Sequence, residues 1–337
     1  MYHDEKRVGR DNSKGLDLTD FNTVTSLKTS LDNWLLNNSL SENDVPEGSI
    51  AVRNPAKQSE IIGFQRHHSK GEMPVMIETA QNAFASWSQT PATERAALLC
   101  RVADVFEHHI DELSALCVKE TGKTAQDGID EVKEAVDSCR SYAQQAIELA
   151  EDDRSEARGV VLCISPCNFP LAIVIGQVTA AIATGNTVLA KPAEQTSLIA
   201  LRAIELMTSV GLPHGVVQAV IAQGSDVGSV FIPNARVQAV IFTGSIKTAT
   251  IISQTLDDSG GNQVPFIAET GCQNCMLVDS TALPEQVVDD VISSGFQSAV
   301  QRCSALRVLF LQEDIADNVI TMLKGALAEL HVGNPEN

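Results

Sequence analysis

The stretch of sequence that decides the fold is VVLCISPCNFPLAIVIGQVTAAIATGNTVLAK, residues 160–191. Its two ends, 160–164 and 187–190, are short runs of apolar and β-branched residues with the length of buried strands. The apolar run between them, 171–183, is long enough for a helix. A strand, a helix and a second strand in this order predict a βαβ unit, in which both strands lie parallel in one sheet.

The same alternation continues towards the C-terminus. It predicts helices over 197–210, 226–232 and 246–256, and strands over 216–221, 237–242 and 265–268. We therefore predict an α/β fold with a doubly wound, mostly parallel sheet. Ligands of such sheets bind at the carboxyl ends of the strands, so the turns that follow the strands are where functional residues are expected.

The residues on either side of this region give further elements. Before it, the sequence predicts a polar linker, an amphipathic helix over 21–36, a strand over 60–63, and helices over 75–88, 90–122 and 128–150. Thr90 and Pro91 are typical of a helix start, and Gly122 is typical of a helix end. After it, residues 276–278 and 308–312 have the composition of strands.

Composition excludes several classes of function. The 337 residues carry a formal net charge of −19, and this disfavours nucleic-acid binding because an acidic surface repels phosphate backbones. No apolar run reaches the ~18 residues that a membrane-spanning helix needs, and no signal peptide opens the sequence. The eight cysteines have no disulfide-framework spacing, which favours a reducing cytoplasm, and we expect no metal site.

Cys303 is the candidate nucleophile. It follows a helix-like run and precedes the strand-like residues 308–312. A thiol at such a junction is aimed by a rigid element and left accessible by the adjoining turn, as covalent catalysis requires. The alternative is a buried and inert cysteine, which is what most free cysteines are.

Two polar turns follow the first two strands of the predicted sheet. Asn168, in SPCNFP (165–170), offers an amide donor to an oxyanion or simply shapes a proline-rich turn. Lys191 and Glu194, in KPAEQT (191–196), bracket a ribose or form a solvated ion pair. Both interpretations of each turn stay open on the residues alone.

Two further turns follow the later strands. Gly244 allows close approach of the backbone to a ligand, and Ser245 opens a helix whose N-terminal amides can hold a pyrophosphate. Glu269 can act as a general base if its carboxyl group is desolvated, and is otherwise an ordinary ion-paired glutamate. No G-x-G-x-x-G occurs, so the ordinary Rossmann fingerprint is absent. With Cys303, these turns supply a nucleophile, an oxyanion donor, a nucleotide cradle and a base.

Five segments together resemble the signature segments of the aldehyde dehydrogenase superfamily, in that family's order and spacing. They are SPCNFP (165–170), KPAEQT (191–196), FTGS (242–245), ETG (269–271) and QRCS (301–304). The resemblance runs from about residue 50 to the end of the sequence. Within the superfamily, residues 164–173, 189–196 and 301–308 are similar to the glutamate-semialdehyde (1-pyrroline-5-carboxylate) dehydrogenase half of bacterial proline utilization A, and residues 12–18 to the segment that joins its two halves.

The resemblance implies the NAD-dependent oxidation of L-glutamate γ-semialdehyde to glutamate, the second step of proline catabolism. It implies that the Cys303 thiolate attacks the aldehyde carbon. The Asn168 amide and the Cys303 N–H would hold the oxyanion, and Glu269 would activate the water that releases the acid. Ser304 and Phe169 would contact the substrate.

The resemblance also implies a set of cofactor contacts. The residues expected to bind NAD are Ser165, Pro166, Lys191, Glu194, Gly244 and Ser245. The Glu194 carboxylate should repel a 2′-phosphate, so we expect NAD rather than NADP. FAD is expected only in a tethered proline dehydrogenase domain, outside these residues. The other expected partner is the semialdehyde, and a homo-oligomer is left open.

The implied organisation has three parts. Residues 1–45 are a linker with an N-terminal helical segment, 46–272 a Rossmann-like NAD-binding domain of aldehyde dehydrogenase type with N-terminal helices, and 273–337 the start of a second α/β catalytic domain. The family's later Glu-x-Phe-Gly-Pro segment does not occur, so we expect a fragment. The alternatives are an NAD-binding fragment that is inactive alone and an aldehyde dehydrogenase for another semialdehyde.

Several residues depart from the family pattern. Cys167 replaces a tryptophan and Ile246 a threonine, whereas Cys272 and Val300 replace glycines and would narrow the space beside the nucleophile. Cys272 is also a candidate for a disulfide with Cys303 under oxidation. On the helix predicted over 128–150, Glu131 and Glu134 are interpreted as a solvated face, with a weak family hint of contact with the substrate amine.

Overall fold

The computed structural model describes residues 11–37, 40–151, 155–259 and 264–335. The chain divides into two units, Met1–Glu269 and Thr270–Asn337, and each is described by itself. The domain limits expected from the sequence, 46–272 and 273–337, stay a prediction. The first ten residues of the predicted linker lie outside the described residues.

The first unit begins with helices and one hairpin. The elements are α1 (Phe21–Asn37), β1 (Ser49–Arg53), β2 (Ile61–Arg66), α2 (Met73–Trp87), α3 (Ala92–His108), α4 (Ile110–Thr121) and α5 (Ala125–Ala150). Strands β1 and β2 pair antiparallel. The sequence did not predict β1 because only one of its residues, Val52, is buried, which leaves almost no hydrophobic pattern.

The sheet follows in the first unit. Its elements are β3 (Val160–Ile164), α6 (Ala172–Ala183), β4 (Thr187–Lys191), α7 (Leu198–Ser209), β5 (Val217–Ala219), α8 (Gly224–Val230), β6 (Val237–Gly244), α9 (Ile246–Asp258) and β7 (Phe266–Thr270). The strand order is β5-β4-β3-β6-β7, and β3 is parallel to both β4 and β6. The predicted doubly wound, mostly parallel sheet is confirmed. Strand β5 is shorter than the six residues predicted.

Helices cover both faces of this sheet. Along β3, Val161 and Cys163 belong to the core formed with α3, α5, α6 and α7. Val160 and Leu162 alternate with them and belong to the opposite core, which includes α2, α8 and α9. A strand that is buried on both faces has a nearly continuous apolar sequence, and this is why the 160–164 pattern identified it.

The prediction of a single helix over 90–122 is wrong, because the structure has two helices there, α3 and α4. His109 has φ −102° and ψ 23° and separates α3 from α4. Its Nδ1 lies 2.8 Å from Glu112 Oε2, in the first turn of α4. The apolar spacing runs through the break, so the sequence pattern could not reveal it. Thr90 does not cap α3, since its hydroxyl donates to the Ser86 carbonyl, but Gly122 ends α4 with φ 70° as predicted.

The second unit contains a βαβ motif and a final helix. Its elements are β8 (Asn274–Val278), α10 (Pro284–Phe296), β9 (Leu306–Leu311) and α11 (Glu313–Ala328). Strands β8 and β9 are parallel, and their helices share a valine-rich core that contains Val278, Val287, Val288, Val291 and Val319. In the described part of the chain, no helix combines the length and the apolar character that crossing a membrane would require.

A buried glutamate of α4 caps the start of α7. The Leu198 and Ile199 amides donate to the two carboxylate oxygens of Glu120, at 2.7 and 2.9 Å. These amides have no partner within their own helix, and an anion at a helix N-terminus is favourable. Burial nevertheless dominates and raises the pKa of Glu120 to about 7, while the amide hydrogen bonds oppose the shift.

This pKa predicts a pH dependence of stability. The pKa of Glu120 is higher in the folded than in the unfolded protein, so its contribution is complete below about pH 4.5 and is lost as the pH rises to about 7. The free energy of unfolding of the wild type, relative to Glu120→Gln, should therefore fall by up to about 3 kcal/mol between about pH 5 and pH 8. Urea unfolding over that range measures the difference.

Glu112→Gln is the control on the same helix. Burial alone would raise the pKa of Glu112, but its contacts with Arg202 (2.7 Å) and His109 together outweigh burial and lower this pKa. Its titration therefore falls below this pH range. Equal pH slopes for wild type and Glu120→Gln would contradict the prediction.

Candidate active site

The topology places a crevice beside β3. From β3 the chain passes to β4 and β5 on one side, and it then returns to β6 on the other side. At such a reversal the helices leave the sheet in opposite directions, and ligands bind in the gap at the carboxyl ends of the strands. The turns after β3, β4 and β6 therefore form the candidate cofactor edge of the first unit.

At the end of β4, Lys191 and Glu194 form an ion pair. Lys191 Nζ lies 3.0 Å from Glu194 Oε2; the lysine side chain is 6% exposed and that of the glutamate 24% exposed. The burial of Lys191 is unlike a solvated surface pair, which was the alternative interpretation. A buried ammonium beside a partly open carboxylate can present a donor and an acceptor to the two hydroxyl groups of a ribose.

At the end of β3, a buried glutamine joins two strands. The Ser165 hydroxyl donates to Gln177 Oε1 at 2.8 Å, and Gln177 Nε2 donates to Thr243 Oγ1, in β6, at 3.0 Å. Gln177 is in α6 and is 8% exposed. It therefore ties the carboxyl ends of β3 and β6 together at the crevice. Pro166 and Asn168 are half-buried in the turn that follows.

A buried ion pair, Lys123–Glu131, also contacts the turn after β3. Lys123 Nζ lies 2.7 Å from Glu131 Oε1 and 3.6 Å from the centroid of the Phe169 ring. Glu131 Oε2 accepts from the Leu171 and Ala172 amides at 3.1 and 3.0 Å. Burial is the main cause of the raised pKa of Glu131, and the Lys123 ammonium opposes it.

The interpretation of Glu131 as solvated is therefore wrong, because its side chain is 0% exposed. The apolar periodicity of α5 could not reveal that Glu131 is buried. Its charge is compensated by Lys123, which lies outside the helix. Glu134, on the same helix, is exposed.

At the end of β6, Ser245 is the N-cap of α9. Its hydroxyl accepts from the Thr248 amide at 3.2 Å, and the residue is exposed, so this helix N-terminus is open to solvent. A Cβ at Gly244 would lie 2.5 Å from the Phe242 ring. Glycine is thus required at 244 by the packing of the turn itself, and the approach of a ligand there stays a prediction.

Glu269 lies near the end of β7 and is exposed. The sequence argument for a general base required a desolvated carboxyl group. The packing of the first unit does not supply that desolvation. The role of Glu269 therefore stays a prediction.

In the second unit, Cys303 is exposed in the turn before β9. The Asn274 side-chain amide, from β8, donates to the Cys303 carbonyl at 2.6 Å and to the Ala305 carbonyl at 3.0 Å. Asn274 thus fixes the backbone on both sides of Ser304. A rigid backbone and an exposed thiol are what a nucleophile needs.

The remaining cysteine predictions concern the same unit. Cys272 and Cys275 are exposed, and all eight cysteines are free thiols. Cys272 and Cys275 have C-x-x-C spacing, but Cys275 lies within β8 rather than at a helix start, which disfavours a redox motif. The Cys272–Cys303 disulfide stays a hypothesis. Within the described ranges, no three or more His, Cys, Asp or Glu side chains are grouped so as to hold a metal ion.

Comparison with known proteins identifies the family. A model of the aldehyde dehydrogenase family matches residues 42–337. The chain belongs to this family. The predicted resemblance to aldehyde dehydrogenases is confirmed.

Relatives of this aldehyde dehydrogenase chain include two kinds of curated protein. The bifunctional protein PutA of Escherichia coli (strain K12) is 46% identical over 335 residues, which are 97% of this chain and 25% of PutA. The 1-pyrroline-5-carboxylate dehydrogenase of Anoxybacillus flavithermus (strain DSM 21510 / WK1) is 33% identical over 310 residues, 88% of this chain and 60% of that protein. The chain thus spans a quarter of the length of this PutA.

A solved structure agrees with this relationship. The crystal structure of a mutant proline utilization A (PutA) from Bradyrhizobium japonicum superposes with a TM-score of 0.84 at 37% identity. The match covers 97% of this chain and 32% of that one. The predicted likeness to proline utilization A is confirmed by these comparisons.

The aldehyde dehydrogenase chain has supporting residues that sequence reasoning missed. Gln177, Lys123 and Asn274 each hold a turn that carries a predicted site residue. Each of them acts on a backbone or side chain that is distant in sequence, so no local pattern marks them. The only available signal was a polar residue, Gln177, inside the apolar run 171–183.

The turn before Cys303 has an unusual backbone. Ser298, Ala299 and Val300 have φ values of 55°, 50° and 66°. A β-branched residue in the left-handed region is strained, typically by about 1–3 kcal/mol. The family resemblance leads one to expect glycine at position 300, and glycine adopts this conformation without strain.

Val300→Gly should therefore stabilise the second unit. The relief of backbone strain should exceed the entropic cost of glycine and raise the free energy of unfolding by about 1 kcal/mol. Val308→Gly is the matched control, because Val308 is similarly exposed but lies in the regular strand β9; it should lower the free energy by about 0.5–1 kcal/mol. Urea unfolding measures both, and equal losses would disprove strain at Val300.

Proposed function

We propose that this chain supplies the cofactor edge and the nucleophile of an enzyme that oxidises L-glutamate γ-semialdehyde to L-glutamate with NAD. The observation that carries the proposal is the ion pair of the buried Lys191 with the half-buried Glu194 at the carboxyl end of β4, in a chain of the aldehyde dehydrogenase family. Its similarity to PutA and to 1-pyrroline-5-carboxylate dehydrogenase supports this choice of substrate.

The cofactor edge fits a dinucleotide in charge and hydrogen bonding. The Glu194 carboxylate accepts from the hydroxyl groups of the adenosine ribose, and the Lys191 ammonium donates to them. The open N-terminus of α9 at Ser245 favours a pyrophosphate. Ser165, Pro166 and Gly244 line the same edge, and NAD held there would accept a hydride from the substrate carbon.

NAD is proposed rather than NADP because of Glu194. A 2′-phosphate would have to approach the carboxylate that receives the 2′-hydroxyl, and two anions repel each other. Lys191 offsets this repulsion only in part, because the Glu194 carboxylate, 3.0 Å away, already compensates its positive charge.

The chemical roles follow from the kinds of side chain. The Cys303 thiolate attacks the aldehyde carbon and forms a thiohemiacetal, whose oxyanion takes hydrogen bonds from the Asn168 amide and the Cys303 N–H; one such donor is worth roughly 10²–10³ in rate. After oxidation, Glu269 takes a proton from the water that hydrolyses the thioester. Ser304 and Phe169 contact the substrate, the serine at its carboxylate.

A second candidate function is dinucleotide binding without turnover by these 337 residues alone. The exposure of Glu269 favours it, since a carboxylate acts as a general base best when water is excluded around it. We further propose a tethered proline dehydrogenase domain, as the bifunctional relatives suggest. The eight free thiols favour the cytoplasm.

Formation of NADH tests the proposal. The chain is mixed with NAD and glutamate semialdehyde, and absorbance is followed for the wild type, Cys303→Ala and the control Cys275→Ala, which removes another exposed cysteine. We expect activity that falls at least about 10³-fold in Cys303→Ala only, because the nucleophile is lost. Succinate semialdehyde should be turned over more slowly.

The other outcomes separate the two candidates. NAD binding without NADH formation in any variant would support the second candidate function. Failure of the wild type to bind NAD would contradict both.

A further inference from the structure

The turn that carries Glu194 is held by a strand outside the sheet. After β4 the chain makes a 3₁₀ turn, Glu194–Thr196, and then enters α7 at Ser197. Gln65, in the hairpin strand β2, reaches both ends of this turn. Its Nε2 donates to the Glu194 carbonyl at 2.8 Å, and its Oε1 accepts from the Ser197 hydroxyl.

The Ser197 hydroxyl does not cap its own helix but donates to Gln65 instead. A serine at the N-cap normally accepts from an amide of its own helix, but Ser197 makes no such bond. Glu120 binds the Leu198 and Ile199 amides instead. The start of α7 is therefore secured by Glu120, and this leaves Ser197 to Gln65.

The contact is buried and closely fitted. Gln65 is 7% exposed and Ser197 0% exposed, so both hydrogen bonds are shielded from water. Two positions before Gln65, a Cβ at Gly63 would lie 2.5 Å from Leu198 Cδ1. Glycine at 63 lets the hairpin approach α7 closely enough for the glutamine to span the turn.

We propose that Gln65 is a positioning residue for the cofactor, fixing the Glu194 backbone so that the carboxylate faces the adenosine ribose. This inference rests on the proposed use of NAD. Among the described residues, the carboxylate of Glu194 pairs with Lys191, and the Glu194 backbone is held by Gln65. Without Gln65, the carboxylate can turn away from the ribose while its bond to Lys191 persists.

This role predicts a change in cofactor selectivity as well as in affinity. A misplaced Glu194 accepts less well from the ribose of NAD, but it also repels a 2′-phosphate less. Gln65→Leu should therefore weaken NAD binding about tenfold, as expected for one or two lost hydrogen bonds. NADP binding should change less than about threefold, so the preference for NAD falls.

The experiment measures dissociation constants for NAD and NADP by calorimetry, together with thermal unfolding of the ligand-free chain. The variants are Gln65→Leu, Ser197→Ala, the double variant and the control Gln58→Leu. Gln58 is an exposed glutamine just before β2, and its substitution should change nothing. Gln65→Leu leaves the Ser197 hydroxyl buried without its partner, which costs stability.

The double variant separates positioning from simple loss of stability. Adding Ser197→Ala to Gln65→Leu removes the buried hydroxyl that has lost its hydrogen-bond partner. The unfolding temperature should therefore recover towards that of the wild type. The preference for NAD should stay low, because the Glu194 carbonyl is still not held. Recovery of both together, or equal weakening of NAD and NADP, would overturn the inference.

The controls also keep this inference distinct from the proposed function. If the wild type binds NAD and Gln65→Leu binds it equally well, the inference fails and the proposed function stands. If the wild type binds neither NAD nor NADP, the proposed function fails and this inference fails with it.

Discussion

Parallel strands cannot be joined by tight turns, so each strand of the sheet is followed by a helix that must cross back over one face. In this chain the crossings cover both faces and change direction beside β3. The arrangement leaves the ends of β3 and β6 as neighbours whose helices diverge. Every residue proposed to hold the cofactor lies at the carboxyl end of β3, β4 or β6 or in the turn that follows it.

The same arrangement places helix N-termini, which carry partial positive charge, at that edge of the sheet. Helices that start at a buried sheet edge present amides that have no partner within the helix. Glu131 and Glu120 solve this at α6 and α7 with buried carboxylates from other helices. α9 is different, because Ser245 caps its own helix at an exposed site. The open N-terminus is the one proposed for the pyrophosphate.

Buried polar side chains from distant parts of the chain fix the turns. Gln177 joins β3 to β6, Gln65 holds the turn after β4, and Lys123 lies against Phe169. Gln177 and Gln65 each make at least two hydrogen bonds, and Lys123 has an ion pair and a ring contact, as buried polar groups require. In the second unit, Asn274 does the same for Cys303. The proposed functional residues thus sit on loops whose backbone is held by hydrogen bonds across the fold.

Strands β3 and β4 were predictable because burial on two faces produces short continuous apolar runs. Where a strand has one buried residue, as in β1, the pattern disappears and the prediction failed. The break at His109 was missed because the apolar face continues across it. The turns that carry Lys191, Asn168 and Cys303 were also found, since polar residues stand out after apolar runs.

The supporting residues could not be predicted by the same reasoning. Gln65 and Glu194 are 129 positions apart, and a pairing of that kind follows only from the fold. Glu131 shows the converse, since a charged residue on a helix is usually solvated and here is buried against Lys123. The strain at Val300 arises from the left-handed backbone of its turn, which the sequence does not reveal. From the sequence, we predicted only that this valine narrows the space beside Cys303.

The central claim is that the carboxyl edge of the five-stranded sheet binds NAD. Amide hydrogen exchange measured by mass spectrometry with and without NAD tests it most directly, because it locates protection along the chain. We predict slower exchange in peptides that contain 165–170, 191–197 and 244–248, and unchanged exchange in α1. Bound NAD that protects none of these three turns would contradict the account.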